Sequence, residues 1–140
     1  MSSIQFSSEG IVFQLKNKRK IANWLKSVAN NEGRKVDKVI IVFVTDAVIY
    51  ELNMNYLQHD YFTDILTFDY STKKAISGEM YISIDTVRIN SIEYNVDIDT
   101  ELFRVMVHGL LHLCGYKDDT ENEQSRMRAI ETSYLKKIFE

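Results

Sequence analysis

Two of the three histidines in this chain, His108 and His112, stand four residues apart in the segment VMVHGLLHLCGYKDD, and Asp118 follows the second after a glycine. Imidazole and carboxylate both bind first-row divalent metals, so the trio is a candidate three-ligand metal centre. The spacing has meaning on a helix, where side chains at i and i+4 share a face. Between Leu102 and Cys114 the positions off one narrow stripe are apolar or glycine, while the stripe carries Glu101, Arg104, His108 and His112. A helix of this pattern is buried on nearly every side and shows its polar groups in one direction. Gly115 suits the left-handed position at which helices stop, so the chain can turn and return Asp118 towards the imidazoles. The expected metal site therefore lies at the end of a buried helix, where the partly negative carbonyl terminus also favours a cation.

Three protein ligands leave a place for water, which is the arrangement of a catalytic metal. In the zinc-peptidase pattern H-E-x-x-H the residue after the first histidine is a glutamate base, whereas this chain has Gly109, which argues against ordinary peptidase chemistry. Two neutral imidazoles and one carboxylate leave a divalent ion with a net charge of about plus one, making its water less acidic than in a three-histidine site. Zinc is the first expectation for the ion, with manganese or iron admitted by the harder oxygen ligand. A pair of hydrogen-bonded core histidines would account for the same two imidazoles. The shared azimuth, the glycine stop and the Asp118–Asp119 pair favour the metal.

The stretch His108 to Asp119, HGLLHLCGYKDD, resembles H-G-x-x-H-L-x-G-Y-D-H of the YbeY family of bacterial metal-dependent endoribonucleases, which act in ribosomal RNA maturation. Leu52 to Phe68, LNMNYLQHDYFTDILTF, is similar to the family's L-N-x-x-Y-R-x-x-D-x-x-T-D-V-L-S-F, and Gly78 to Ser83, GEMYIS, resembles the strand that follows. The likeness runs from Val39 to the C-terminal helix. It implies an α+β fold, a small mixed β-sheet flanked by helices, with the metal at the mouth of a cleft. It also implies hydrolysis of single-stranded RNA, ribosomal RNA in particular, by a metal-activated water, in the cytoplasm and in partnership with the ribosome, where the family serves rRNA processing and quality control.

Two departures touch function. Asp118 stands where the family has a third histidine ligand, and Leu57 stands where it commonly has an arginine suited to phosphate. Arg88 and Arg104, with Lys73 and Lys74, are candidate substitutes for that phosphate contact. His59, Asp64, Glu79 and Asp119 are candidates for a proton-transferring group, His59 because imidazole titrates near neutrality. Three other readings stand beside the nuclease: a non-catalytic, metal-stabilised ribosome-assembly factor, a metallohydrolase of another substrate, and a non-haem iron oxygenase.

The 140 residues, with 45% hydrophobic and 26% charged side chains, fit one globular domain over 1–140. The single Cys114 is expected to be an inert buried thiol, and the start MSSIQFSSEG has neither the basic nor the apolar part of a signal peptide. No apolar run reaches membrane-spanning length, so no membrane partner is expected. A net charge of −3 is awkward for an RNA enzyme, although Lys16, Lys18, Arg19, Lys20, Arg34, Lys35 and Lys38 could form a local patch. The patterning predicts a short strand over Ile11–Leu15, a helix carrying Ile21, Trp24, Leu25, Val28 and Ala29, and a buried strand over Val39–Val44. A helix capped by Asp46 runs through Tyr56; a hairpin joins Thr63–Tyr70 to Glu79–Asp85 across Ser71–Ser77. After a short helix beyond Asp85 comes the histidine helix. The last helix opens on a Thr120–Glu123 capping box and turns Met127, Ile130, Tyr134 and Ile138 to the core.

Overall fold

The computed structural model describes residues 3–57 and 63–139. Four strands, β1 (Ser3–Ser8), β2 (Lys35–Val44), β3 (Ile65–Asp69) and β4 (Ala75–Ser83), form one sheet in the order β1-β2-β4-β3. β1, β2 and β4 are parallel, and β3 closes the edge antiparallel to β4. The helices are α1 (Lys18–Asn31), α2 (Asp46–Leu57), α3 (Ile84–Glu93), α4 (Ile98–Leu113) and α5 (Glu121–Ile138). This is the mixed, helix-flanked sheet that the alternation of elements predicts.

The sheet is apolar on both faces, and the two faces are unequal. On the larger side α1, α4 and α5 pack Trp24, Leu25, Leu102, Met106, Leu110 and Leu135 against Ile41, Ile76, Met80 and Ile82. On the other side α2 covers Val42, Val44 and Leu66 through Ile49. β2 is buried on both faces, which is why Val39–Val44 reads as an unbroken β-branched and aromatic run instead of an alternation. α4 is buried along most of its length, as its composition requires. No helix among the described residues is long and apolar enough to cross a membrane.

Three local expectations are corrected. Ile11–Leu15 is not a strand: Ile11, Phe13 and Leu15 do alternate with exposed neighbours and lean on the core, but the sheet edge beside β2 is already taken by Ser3–Ser8. Three serines in that six-residue strand hid it from a propensity reading. β4 begins at Ala75, four residues before Glu79, so the hairpin loop is shorter than Ser71–Ser77. Asp46 is the first residue of α2 and not its cap; the Thr45 hydroxyl accepts from the Val48 N–H at 3.3 Å, while the Asp46 carboxylate accepts from the Ser83 and Thr86 hydroxyls at the start of α3. The Thr120–Glu123 capping box is formed as expected.

Gly78 sits where the end of α4 crosses β4. A Cβ there would lie 2.5 Å from the Phe68 carbonyl oxygen and 2.9 Å from Leu113 Cδ2, so the glycine lets the histidine helix lie close on the sheet. Gly78→Ala is expected to destabilise the protein by about 1–3 kcal/mol, the usual cost of overpacking. Urea unfolding followed by circular dichroism should show a lower midpoint with an unchanged slope.

Candidate metal centre

His108 and His112 emerge one turn apart from the exposed stripe of α4, and the helix ends with Cys114 as its cap. Gly115 then takes φ 110°, a left-handed value that reverses the chain. That reversal brings Asp118 back over the helix end. His108 Nε2 and His112 Nε2 lie 3.1 Å apart, and Asp118 Oδ2 stands 3.2 Å from the first and 3.3 Å from the second. Three ligand atoms on one face of a tetrahedron with bonds of ~2.0–2.1 Å are ~3.3–3.4 Å apart, so the triangle has the dimensions of a zinc-type site.

The other nitrogen of each ring settles its tautomer. His112 Nδ1 lies 3.0 Å from the Tyr116 carbonyl oxygen and His108 Nδ1 lies 2.5 Å from a Glu131 carboxylate oxygen. Both partners only accept, so both Nδ1 atoms donate, and in the neutral rings both Nε2 atoms present lone pairs. Two lone pairs and a carboxylate oxygen thus converge on one point with no donor between them. A divalent cation would satisfy all three, and the Nδ1 partners are of the kind that orient metal-bound histidines.

Glu131 is the functional residue that the sequence reading missed. It lies on α5 at 4% exposure, accepts from His108 Nδ1 and receives Arg104 Nη1 at 3.0 Å on its other oxygen. Its signal was available: α5 buries Met127, Tyr134, Leu135 and Ile138, and a carboxylate on that face has to be paired. Arg104 also donates to the Thr132 hydroxyl at 3.1 Å, so its guanidinium clamps α5 while it lines the cleft that holds His108 and Asp118. A second set of bonds holds the reversal. Glu32 accepts from the Tyr116 hydroxyl at 2.6 Å and from the Tyr134 hydroxyl, tying the segment that carries the Tyr116 carbonyl to α1 and α5.

Among the candidate bases the structure brings one to the centre. Asp64 lies just before β3, with its backbone carbonyl accepting from Ser83 N–H at 2.9 Å. It lines, together with His108 and Asp118, two clefts that meet at the centre, one of about 540 Å³ between α3, α4 and α5 and one of about 450 Å³ along the edge strand β3. Burial raises the Asp64 pKa, partly offset by the nearby His108. Glu79 points to the α2 side of the sheet, where the Tyr70 hydroxyl donates to it at 3.1 Å, and Asp119 is exposed outside both clefts. Arg88 is exposed on α3 and lines neither cleft; Lys73 and Lys74 are exposed in the β3–β4 turn. Arg34 donates to the carbonyls of Cys114 and Thr72, securing the end of α4. His59 lies outside the described residues, and Leu57 is the last residue of α2. Gly109 faces the sheet, where a Cβ would meet Met80 Sδ at 2.3 Å, so a peptidase glutamate has no room at that position. Burial lifts the Cys114 thiol to about 11, in keeping with an inert cysteine.

A mixed sheet whose central helix ends in an open His-His-Asp cluster that could hold a metal ion, at the junction of two clefts, has the makings of a hydrolase site. Comparison with known proteins then names the group: the chain belongs to the endoribonuclease YbeY family, whose sequence model matches residues 3–139. It is 42% identical over 132 residues to Endoribonuclease YbeY of Phocaeicola vulgatus, covering 94% of this chain and 96% of that protein. It is 39% identical over 133 residues to Endoribonuclease YbeY of Bacteroides thetaiotaomicron, covering 95% and 97%. The fold is also similar to a Thermotoga maritima protein solved in solution, with a TM-score of 0.68, 26% identity, and coverage of 98% of this chain and 89% of that one.

Burial on its own would lower the His108 pKa, but the Glu131 hydrogen bond and charge, with Asp118 and Asp64 adding to them, raise it above the ordinary histidine value. In metal-free protein the protonated His108 therefore stabilises the fold below the unfolded histidine pKa of about 6.5, and the contribution is lost as pH rises through the higher folded value. Glu131→Gln is expected to flatten the fall of the chelated protein's melting temperature between pH 6 and 8. The same variant should bind a divalent metal about 10–100-fold more weakly, read by competition with a chromophoric chelator.

Proposed function

We propose that this chain is a metal-dependent endoribonuclease that hydrolyses single-stranded RNA, acting in ribosomal RNA maturation and ribosome quality control in the cytoplasm. The observation that carries the reading is the convergence of His108 Nε2, His112 Nε2 and Asp118 Oδ2 within 3.1–3.3 Å of one another, in a chain of the endoribonuclease YbeY family. Zinc is the ion whose bond lengths fit this triangle, and Asp118 also admits manganese or iron. When bound, the metal would supply a water of lowered pKa and Lewis acidity towards a phosphodiester oxygen.

The chain's own residues then have separable tasks. Glu131 keeps the Nδ1 proton on His108 and so keeps Nε2 free for coordination; the Tyr116 carbonyl does the same for His112. Asp64 stands between the two clefts and beside His108, where a carboxylate of raised pKa can take a proton from an attacking water or return one to the leaving oxygen. The groove along β3, lined by Thr63, Ile65 and Thr67, gives an extended strand a path past the centre. With the family arginine replaced by Leu57, phosphate charge at the centre falls largely to the metal. Affinity for RNA should accordingly be less dependent on salt than in an arginine-rich nuclease.

Metal-loaded protein is expected to cleave single-stranded RNA and leave new 5′-phosphate ends, the products of attack by water. His112→Ala and chelation should both abolish the cleavage, and Asp64→Asn should slow it by about 10²–10⁴-fold while leaving metal bound. Cleavage undiminished in His112→Ala would refute the assignment. Chelation that lowers the melting temperature with no cleavage to lose in the wild type would favour a metal-stabilised assembly factor instead.

A further inference from the structure

The larger cleft holds a carboxylate that the hydrolytic machinery does not use. Glu101, in the first turn of α4, is 5% exposed, and among the described residues its carboxylate makes no hydrogen bond and no ion pair, while its backbone N–H donates to the Asp97 carbonyl. It lines the cleft in which His108 and Asp118 form the metal end. Its oxygens are not among the fully buried side-chain atoms that lack a partner, so they open to the cleft and can accept donors from a ligand there; burial raises the Glu101 pKa, and the charges of Arg104 and Arg128 oppose that rise. The same cleft is lined by Tyr94, 52% exposed, with the Arg128 guanidinium over its ring at 5.9 Å from the centroid. An exposed aromatic face beside a guanidinium is a stacking platform for an unpaired nucleobase.

The chemistry of the carboxylate selects among the bases. An ionised carboxylate only accepts hydrogen bonds, through two oxygens set side by side. Guanine offers adjacent donors, N1–H and N2–H, on its Watson–Crick edge. Adenine and cytosine place a ring-nitrogen acceptor next to their amino group, and uracil flanks its one N–H with two carbonyls, so each would set a lone pair against a carboxylate oxygen. A cleft of about 540 Å³ has ample room for one base. We infer that this cleft is a guanine-selective subsite beside the metal centre, in which Tyr94 stacks on the base and Glu101 accepts its N1–H and N2–H. Resting on the endoribonuclease reading, it places the bond to be cut next to a guanosine.

The test measures binding separately from cleavage. Metal-loaded full-length protein is titrated, by fluorescence anisotropy, with cleavage-resistant pentanucleotides (2′-O-methyl, phosphorothioate) that differ only in a central guanine, inosine, adenine, cytosine or uracil. Guanine is expected to bind about tenfold more tightly than the others, in line with a bidentate pair, and inosine, which lacks the N2 amine, to lose most of that gain. Glu101→Gln presents one donor and one acceptor, which suit the amino group and ring nitrogen of adenine and cytosine, and should abolish the preference for guanine over those two with metal content unchanged. Tyr94→Ala should weaken all five ligands alike by about tenfold. Equal affinity of the wild type for guanine and inosine, or a guanine preference retained in Glu101→Gln, would overturn the subsite. The inosine comparison needs no variant, so it stands even if Glu101→Gln fails to fold. Guanine-selective binding without RNA cleavage would remove the nuclease reading and leave the subsite, while cleavage without base preference would do the reverse.

Discussion

Three electron pairs aimed at one point repel one another, and much of this protein is arranged to hold them there. His108 and His112 cannot relieve the repulsion by moving a proton to Nε2, because Glu131 and the Tyr116 carbonyl each hold that ring's proton on Nδ1. Asp118 is returned to them by the Gly115 reversal. A cation would offset the cost of that arrangement, as a proton on His108 does when no metal is bound, and metal binding would then be linked to the folding of the α4–α5 region.

The supports radiate from the centre through bonds of known direction. Arg104 and His108, on α4, share the two oxygens of Glu131 on α5, so the carboxylate is satisfied on both sides although it is buried. Glu32 at the end of α1 accepts from Tyr116 and Tyr134, and Arg34 two residues later donates to the Cys114 carbonyl, so α1 fixes the bend from two directions. Beneath them α4 rests on β4 through Gly78 and Gly109, where side chains would collide with Phe68, Leu113 or Met80. Rigid elements thus carry the ligands, and the clefts open where α4 emerges between β3 and α5.

The central helix and the His108, His112 and Asp118 cluster were legible because their information is local. Four-residue spacing, an apolar surround and a glycine stop all lie within Leu102 to Asp118, and the capping box of α5 is written in four consecutive residues. What escaped depends on tertiary pairing. The serine-rich β1 is a strand because β2 offers it an edge, while Ile11–Leu15 has the alternation of a strand and no partner to pair with. Glu131 and Asp64 gain their roles from residues 23 and 44 positions away along the chain, as Glu131 to His108 and Asp64 to His108, and no motif joins them. Arg104 likewise has a partner that its sequence position does not announce, the buried carboxylate of Glu131, while its side chain also lines the larger cleft.

The central claim is that these three side chains coordinate one metal ion through both Nε2 atoms and a carboxylate oxygen. X-ray absorption at the metal edge of the loaded protein tests it most directly. The account predicts one ion per chain, bound by two imidazoles at ~2.0–2.1 Å and a carboxylate oxygen at ~2.0–2.2 Å, with the imidazole signal lost in His108→Ala. A first shell without imidazole scattering, or a spectrum unchanged in His108→Ala, would contradict it.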